Sequence, residues 1–212
     1  MRRMLAVAGA VVGLLAGLAP PASAQSFILN SAETINRGNV KISAFPTVLL
    51  GDDGAPNSWG VATRLGYGFT DWFDVEGKVG FFDGLNLYGA DAEAWIFRGD
   101  VDISLSLGGH LADVGAGSSS KAVDVAGLLS GHVSPWLEVY GGVSLSFESL
   151  DDSDHDFTRA YVVPGVEIRI TRQLDFLAEY GLGLNDDSPN YVGFGLAFYV
   201  KDTGRPARSS LR

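Results

Sequence analysis

The chain has 212 residues, with 25 Asp and Glu against 15 Lys and Arg, a formal net charge of −10 and no cysteine. So acidic a chain is a poor partner for nucleic acid, and without cysteine it has neither disulfides nor thiolate chemistry. It is long enough for one domain, and its 28 glycines, many set inside apolar and polar alternations, argue against a soluble sandwich, because glycine weakens strands.

Met1 to Ala24 begins with Arg2 and Arg3, continues as an apolar run from Leu5 to Leu18 and ends on Ala22-Ser23-Ala24. That is the pattern of a secretory signal cleaved before Gln25. The run is short for a spanning helix. Cleavage would leave 13 Lys and Arg against the same 25 acids, a charge near −12. Residues 25–36 show no clear period and read as a short lead-in.

From Asn39 the pattern is one of strands. Ten are expected: 39–50, 58–69, 73–83, 86–97, 101–111, 121–133, 137–148, 158–170, 174–184 and 190–200. In the third, Phe73, Val75, Gly77, Val79 and Phe81 alternate with Asp74, Glu76, Lys78 and Gly80, the period-2 signature of a strand with two different faces. The strands exceed the ~5–6 residues usual in globular sheets and suit a tilted bilayer crossing. A similar turn precedes several of them, as in Val133-Ser-Pro-Trp-Leu-Glu-Val and Ile170-Thr-Arg-Gln-Leu-Asp-Phe.

The connections alternate in character. Thr70–Trp72, Arg98–Asp100, Ser134–Trp136 and Thr171–Gln173 are short; Gly51–Asn57, Ala112–Ser120, Ser149–Phe157 and Asn185–Pro189 are longer and rich in Asp, Gly and Ser, with Asp83–Asn86 the exception. Short turns at one end and long loops at the other describe a transmembrane barrel whose short end is periplasmic. The polar face of the strands repeatedly carries Gly, Ala or Ser between charges, as in Gly60, Ala62, Arg64, Gly66 and Gly68. Small residues belong where strands crowd around a narrow interior. The other face, with Trp59, Val61, Leu65, Tyr67 and Phe69, then meets lipid. Aromatic residues gather at both strand ends, Phe69, Trp72, Phe73, Phe97, Trp136, Phe176 and Phe198 near the short turns and Trp59, Phe81, Tyr88 and Phe147 near the long loops, as two interfacial girdles.

The expected fold is therefore all-β, an antiparallel up-and-down transmembrane barrel of ten strands with both termini periplasmic. Residues 1–24 form the signal peptide, 25–36 a periplasmic lead-in, 37–201 the barrel and 202–212 a disordered periplasmic tail. Pro46 and Pro164 fall inside strands, where each removes a ladder hydrogen bond, so bulges are expected there, and eight strands stand as the alternative.

The signal sequence, the hairpin meander and the repeated turn resemble the small outer-membrane β-barrel proteins of Gram-negative bacteria, the OmpA, OmpX and OmpW-like class, over residues 37–201. The resemblance implies an outer-membrane location, contact with outer-membrane lipid and lipopolysaccharide, and insertion by the barrel assembly machinery. That machinery reads an aromatic residue ending the final strand, here Phe198 or Tyr199. Architecture alone specifies place better than function. It implies a structural or narrow porin-like role without enzymatic activity. A surface-recognition or adhesin-like barrel acting through acidic loops is the alternative, and an outer-membrane hydrolase the second. Oligomeric state stays open.

Candidate site residues follow from the faces. Arg64, Asp74, Glu76, Lys78, Asp91, Glu93, Arg159, Glu167 and Arg169 are expected as lumen charges, the ordinary filling of a small barrel. His132-Val-Ser134 resembles the motif of lipid A deacylases, but Ser134 lies in a short turn before Pro135. Asp83, His110, Asp113 and His155 could serve an omptin-like protease, though no motif of that family matches. Asp152-Ser-Asp154-His-Asp156 copies the first ligand positions of a calcium loop; Phe157 and Val163 stand where Gly and Glu are needed. That leaves a weak calcium or magnesium site at Asp152, Asp154 and Asp156 and no other cofactor.

Overall fold

The computed structural model describes residues 30–51, 56–113, 118–151 and 156–201; the expected signal peptide and C-terminal tail lie outside them. Ten strands follow in chain order: β1 (Val40–Leu49), β2 (Ser58–Thr70), β3 (Phe73–Phe82), β4 (Leu85–Phe97), β5 (Asp102–Asp113), β6 (Ser119–Ser134), β7 (Leu137–Leu150), β8 (Asp156–Arg169), β9 (Leu174–Gly183) and β10 (Tyr191–Tyr199). Each is antiparallel to its neighbours, and β1 pairs with β10, so the sheet closes into a barrel. The eight-stranded alternative is thereby set aside.

Closure follows from the solvent. In hydrocarbon an unpaired N–H or C=O costs several kcal/mol, so strands can span lipid only where no edge remains. The seam is extended at the short-turn rim, where Lys201 N donates to Asn39 Oδ1 at 2.9 Å and Val200 N to the Val40 carbonyl at 3.0 Å.

Alternation sorts the side chains. Along β2, Trp59, Val61, Leu65, Tyr67 and Phe69 are exposed, whereas Ala62 and Arg64 are buried. A soluble barrel would have the opposite arrangement, with its apolar face inward. Trp59, Phe81, Tyr88 and Phe147 lie outside near the long loops, and Phe69, Trp72, Phe97, Trp136 and Phe198 outside near the short turns. Phe81 and Tyr88 meet edge to face at 6.4 Å between ring centroids. In the last strand Phe198 faces outward and Tyr199 inward.

The prolines behave differently from expectation. Pro46 pairs with Val61 and Pro164 with Gly141 in unbroken register, and on their other sides the ladders omit a two-residue stretch and resume at the same register. Neither proline carries a bulge. The missing N–H is accommodated by opening the ladder on one side only, which leaves alternation intact. The register shifts occur instead at Gly68/Thr70, Trp95/Phe97 and His132/Ser134, all at the short-turn rim. There a bulge ends the pairing and turns the chain. At the opposite rim the shortest connection, Asp83-Gly84, is made possible by Gly84 at φ 75°, a conformation open to glycine at little cost.

The lead-in also departs from expectation. Residues 30–36 lie inside the barrel at the short-turn end rather than below it, with Ala32 and Ile35 at 0% and 2% exposure. A turn reverses the chain, closed by Asn39 N donating to the Asn36 carbonyl at 3.0 Å, with Gly38 at φ 71°. From there the segment runs into the lumen alongside β2. Room comes from that strand's inner glycines: a Cβ on Gly68 would stand 2.2 Å from the Ile35 carbonyl oxygen, and one on Gly66 2.3 Å from Ile35 Cδ1.

If the short turns face the periplasm, a cysteine at Ser119 on the long-loop rim reacts with an impermeant maleimide on intact cells, and one at Arg98 or Arg172 does not. The opposite labelling pattern reverses the orientation.

Candidate functional site

The site is the lumen itself. Eleven carboxylates are buried among the described residues, against Lys41, Arg64, Lys78 and Arg159 as the buried Lys and Arg. Charges withdrawn from water need partners, because an uncompensated one costs several kcal/mol. Here they form a chain of contacts around the wall. Lys41 Nζ on β1 lies 2.5 Å from Glu76 on β3, and Arg64 on β2 bridges Glu76 and Asp91 at 3.7 and 3.8 Å. Lys78 Nζ on β3 sits between Asp91 and Asp124 at 2.7 and 2.8 Å. His110 on β5 meets Asp124 at 2.8 Å and Glu148 at 3.9 Å, and Glu148 meets Arg159 on β8 at 2.7 Å.

Between β7 and β10 the contacts are phenolic. Tyr191 and Tyr140 each donate to Glu179, at 2.6 and 3.2 Å, and the Tyr161 and Tyr191 rings meet at 5.8 Å. Toward the long loops the interior becomes apolar around Phe45, Leu49, Phe82, Leu85, Leu87 and Ala112. Toward the short turns the N-terminal segment docks through polar groups. Asn30 donates to Glu93 at 2.6 Å and accepts from Lys41 at 2.9 Å, and Ile35 N donates to Asp74 at 2.6 Å. Between Asn30 and the charged belt lies a cavity of about 30 Å³ bordered by Asn30, Arg64, Asp91, Glu93 and Asp124, room for roughly one or two waters.

Of the expected lumen charges, Arg64, Asp74, Glu76, Lys78, Asp91, Glu93, Arg159 and Glu167 face inward and are buried, while Arg169 lies partly exposed near the rim, 3.9 Å from Asp175. Sequence reasoning overlooked His110 as a wall charge and overlooked Asn30 and Ile35 altogether. Asp152 and Asp154 lie outside the described residues, and Asp156 is exposed at the start of β8. At that rim Asp151 accepts from Ser119 at 2.7 Å and from Lys121 at 3.2 Å. These two donors, Ser119 first, hold its carboxyl below the usual carboxylate range.

Among the described residues the hydrolytic arrangements do not assemble. Ser134 Oγ has no hydrogen-bond partner among the described residues. A register shift separates it from His132, whose Nε2 faces Glu33 and Glu138. His110 is held in the lumen by Asp124, while Asp83 and Asp113 are exposed. His155 lies outside the described residues.

A closed antiparallel barrel with an apolar outer belt, two aromatic girdles and a polar interior is an integral outer-membrane β-barrel. The chain belongs to the outer membrane protein beta-barrel domain family, whose model matches residues 10–201. Among solved structures it is similar to an outer-membrane channel from Pseudomonas putida F1, at 10% identity over 84% of this chain and 100% of that one, with a TM-score of 0.55. It is similar also to the Yersinia pestis outer membrane protein Ail (14% identity, 77% and 99% coverage, TM-score 0.40) and to the KdgM porin (10%, 74% and 98%, 0.44). No curated protein matches the chain.

Replacing Lys78 by Met removes the ammonium between Asp91 and Asp124, leaving Asp91 with Arg64 at 3.8 Å and Asp124 with His110 at 2.8 Å, and is expected to destabilise the barrel by about 3 kcal/mol, the low end for breaking a buried pair. Denaturant midpoints in detergent micelles check this. Lys121→Met, which removes an exposed partner of Asp151, leaves the midpoint nearly unchanged.

Proposed function

We propose that the protein is a non-enzymatic outer-membrane barrel whose lumen is stoppered from the periplasmic side by its own N-terminal segment, so that its resting state is structural and any solute path is narrow. The observation carrying this reading is the burial of Ala32 and Ile35 inside the barrel, with Ile35 against the inner face of β2. Ten strands enclose more space than the eight whose side chains just fill a barrel, and far less than the 16–18 of a water-filled porin. The segment occupies much of that difference. The charged belt and the apolar layer beyond it occupy more.

Displacing the segment would expose a wall in which buried carboxylates outnumber Lys and Arg, so the path then opened prefers cations.

In planar bilayers the wild-type protein is expected to conduct only slightly. Gly68→Val removes the space that the Ile35 backbone occupies, and deletion of residues 30–36 removes the stopper; both should raise conductance severalfold, with weak cation selectivity. A large, steady conductance from the wild type, equal to that of both variants, overturns the proposal.

A further inference from the structure

We propose that Glu33, Asp102 and His132 form a site for a first-row divalent metal ion of the zinc class, which ties the N-terminal segment to the barrel wall. The inference concerns metal chemistry and does not depend on whether the barrel conducts. Glu33 lies in the inserted segment, Asp102 opens β5, and His132 lies near the end of β6. Asp102 stands opposite Ser130 across the β5–β6 ladder, and His132 stands opposite Glu138 across the β6–β7 ladder. Alternation puts all four wall residues on the inner face at the short-turn rim.

One potential ligand atom from each of Glu33, Asp102 and His132 falls within 4.8 Å of the other two. His132 Nε2 is 3.7 Å from Glu33 Oε1 and 3.7 Å from Glu138 Oε2. That spacing is too long for a hydrogen bond. It is close to the separation of two ligands of one tetrahedral ion, since bonds of ~2.0–2.2 Å place ligand atoms about 3.3–3.6 Å apart. A pair at the 4.8 Å limit needs to close by about 1.2–1.5 Å, within reach of side-chain rotation. Glu138 stands beside these three, and with them as the protein ligands a fourth position is left for water.

A second observation points to the same spot. Ser130 Oγ is buried, its residue only 3% exposed, and it has no hydrogen-bond partner among the described residues. It faces the lumen directly across from Asp102. A buried hydroxyl without a partner is costly, and a metal-bound water at an open coordination position would supply one. The chemistry selects the metal. One imidazole among carboxylates suits zinc and its neighbours, whereas calcium and magnesium prefer oxygen ligands alone. The His132 side chain is 23% exposed, which leaves an entry path from the rim.

The test uses the full chain without a polyhistidine tag, folded in detergent, titrated with Zn²⁺ by calorimetry and with Co²⁺ by visible absorption. One saturable ion per chain is expected, with a large excess of Ca²⁺ or Mg²⁺ failing to compete. Glu33→Gln and His132→Ala should each weaken binding at least about tenfold and alter the Co²⁺ spectrum, while both retain the gel shift of a folded barrel on boiling. Glu33→Gln changes only the inserted segment, so the barrel itself stays available for the comparison. No saturable zinc binding overturns the proposal. So does binding unchanged in both variants, which would assign the ion to the acidic loops.

Discussion

The constraint on which the rest depends is that a strand crossing lipid cannot leave an edge. Once β1 and β10 must pair, the number of strands fixes the width of the interior, and the width fixes how much must be put inside it. The period of two then divides each strand into a lipid face and a lumen face with no freedom to mix them. The polar interior is a consequence of that division.

Ten strands make a tube slightly too wide for its own side chains. The chain resolves this in layers rather than by uniform filling. Near the long loops large apolar groups reach inward, with Phe82 so close over Gly60 that a Cβ there would stand 2.1 Å from its ring. At mid-height the oppositely charged groups span the bore from β1 to β8. At the short-turn end the wall is lined with Gly66 and Gly68, and the backbone of residues 30–36 takes the place of the missing side chains. Small residues on the wall and an inserted segment are therefore two halves of one packing solution.

The wall was legible in the sequence because alternation, strand length and turn length are local properties; the strands fall within a few residues of where those patterns put them. The prolines misled because a missing N–H was expected to force an extra residue, whereas at Pro46 and Pro164 the neighbouring ladder simply lapses for two residues and resumes in register. The inserted segment was not legible because it has no period of its own. Its signal lay elsewhere, in Gly66 and Gly68, which were read as room for a crowded wall when they were room for Ile35. The cluster of Glu33, Asp102 and His132 was hidden for the same reason: its members come from three separate stretches and meet only once the segment is inside.

The charged belt also bears on why this register and no other is adopted. A hydrophobic filling of equal volume would often be as stable as buried ion pairs, and it would leave the two faces of each strand alike. A slip of one residue would then exchange equivalent surfaces at little cost. With Lys78, Asp91, Asp124 and Arg159 on the inner face, the same slip would turn charges toward hydrocarbon, at roughly 2–4 kcal/mol for each Lys or Arg near the bilayer midplane. The belt thus penalises the inverted wall more than it stabilises the native one. The inserted segment adds to that discrimination, because Asn30 and Ile35 find their partners on Glu93, Lys41 and Asp74 only when those three side chains point inward together.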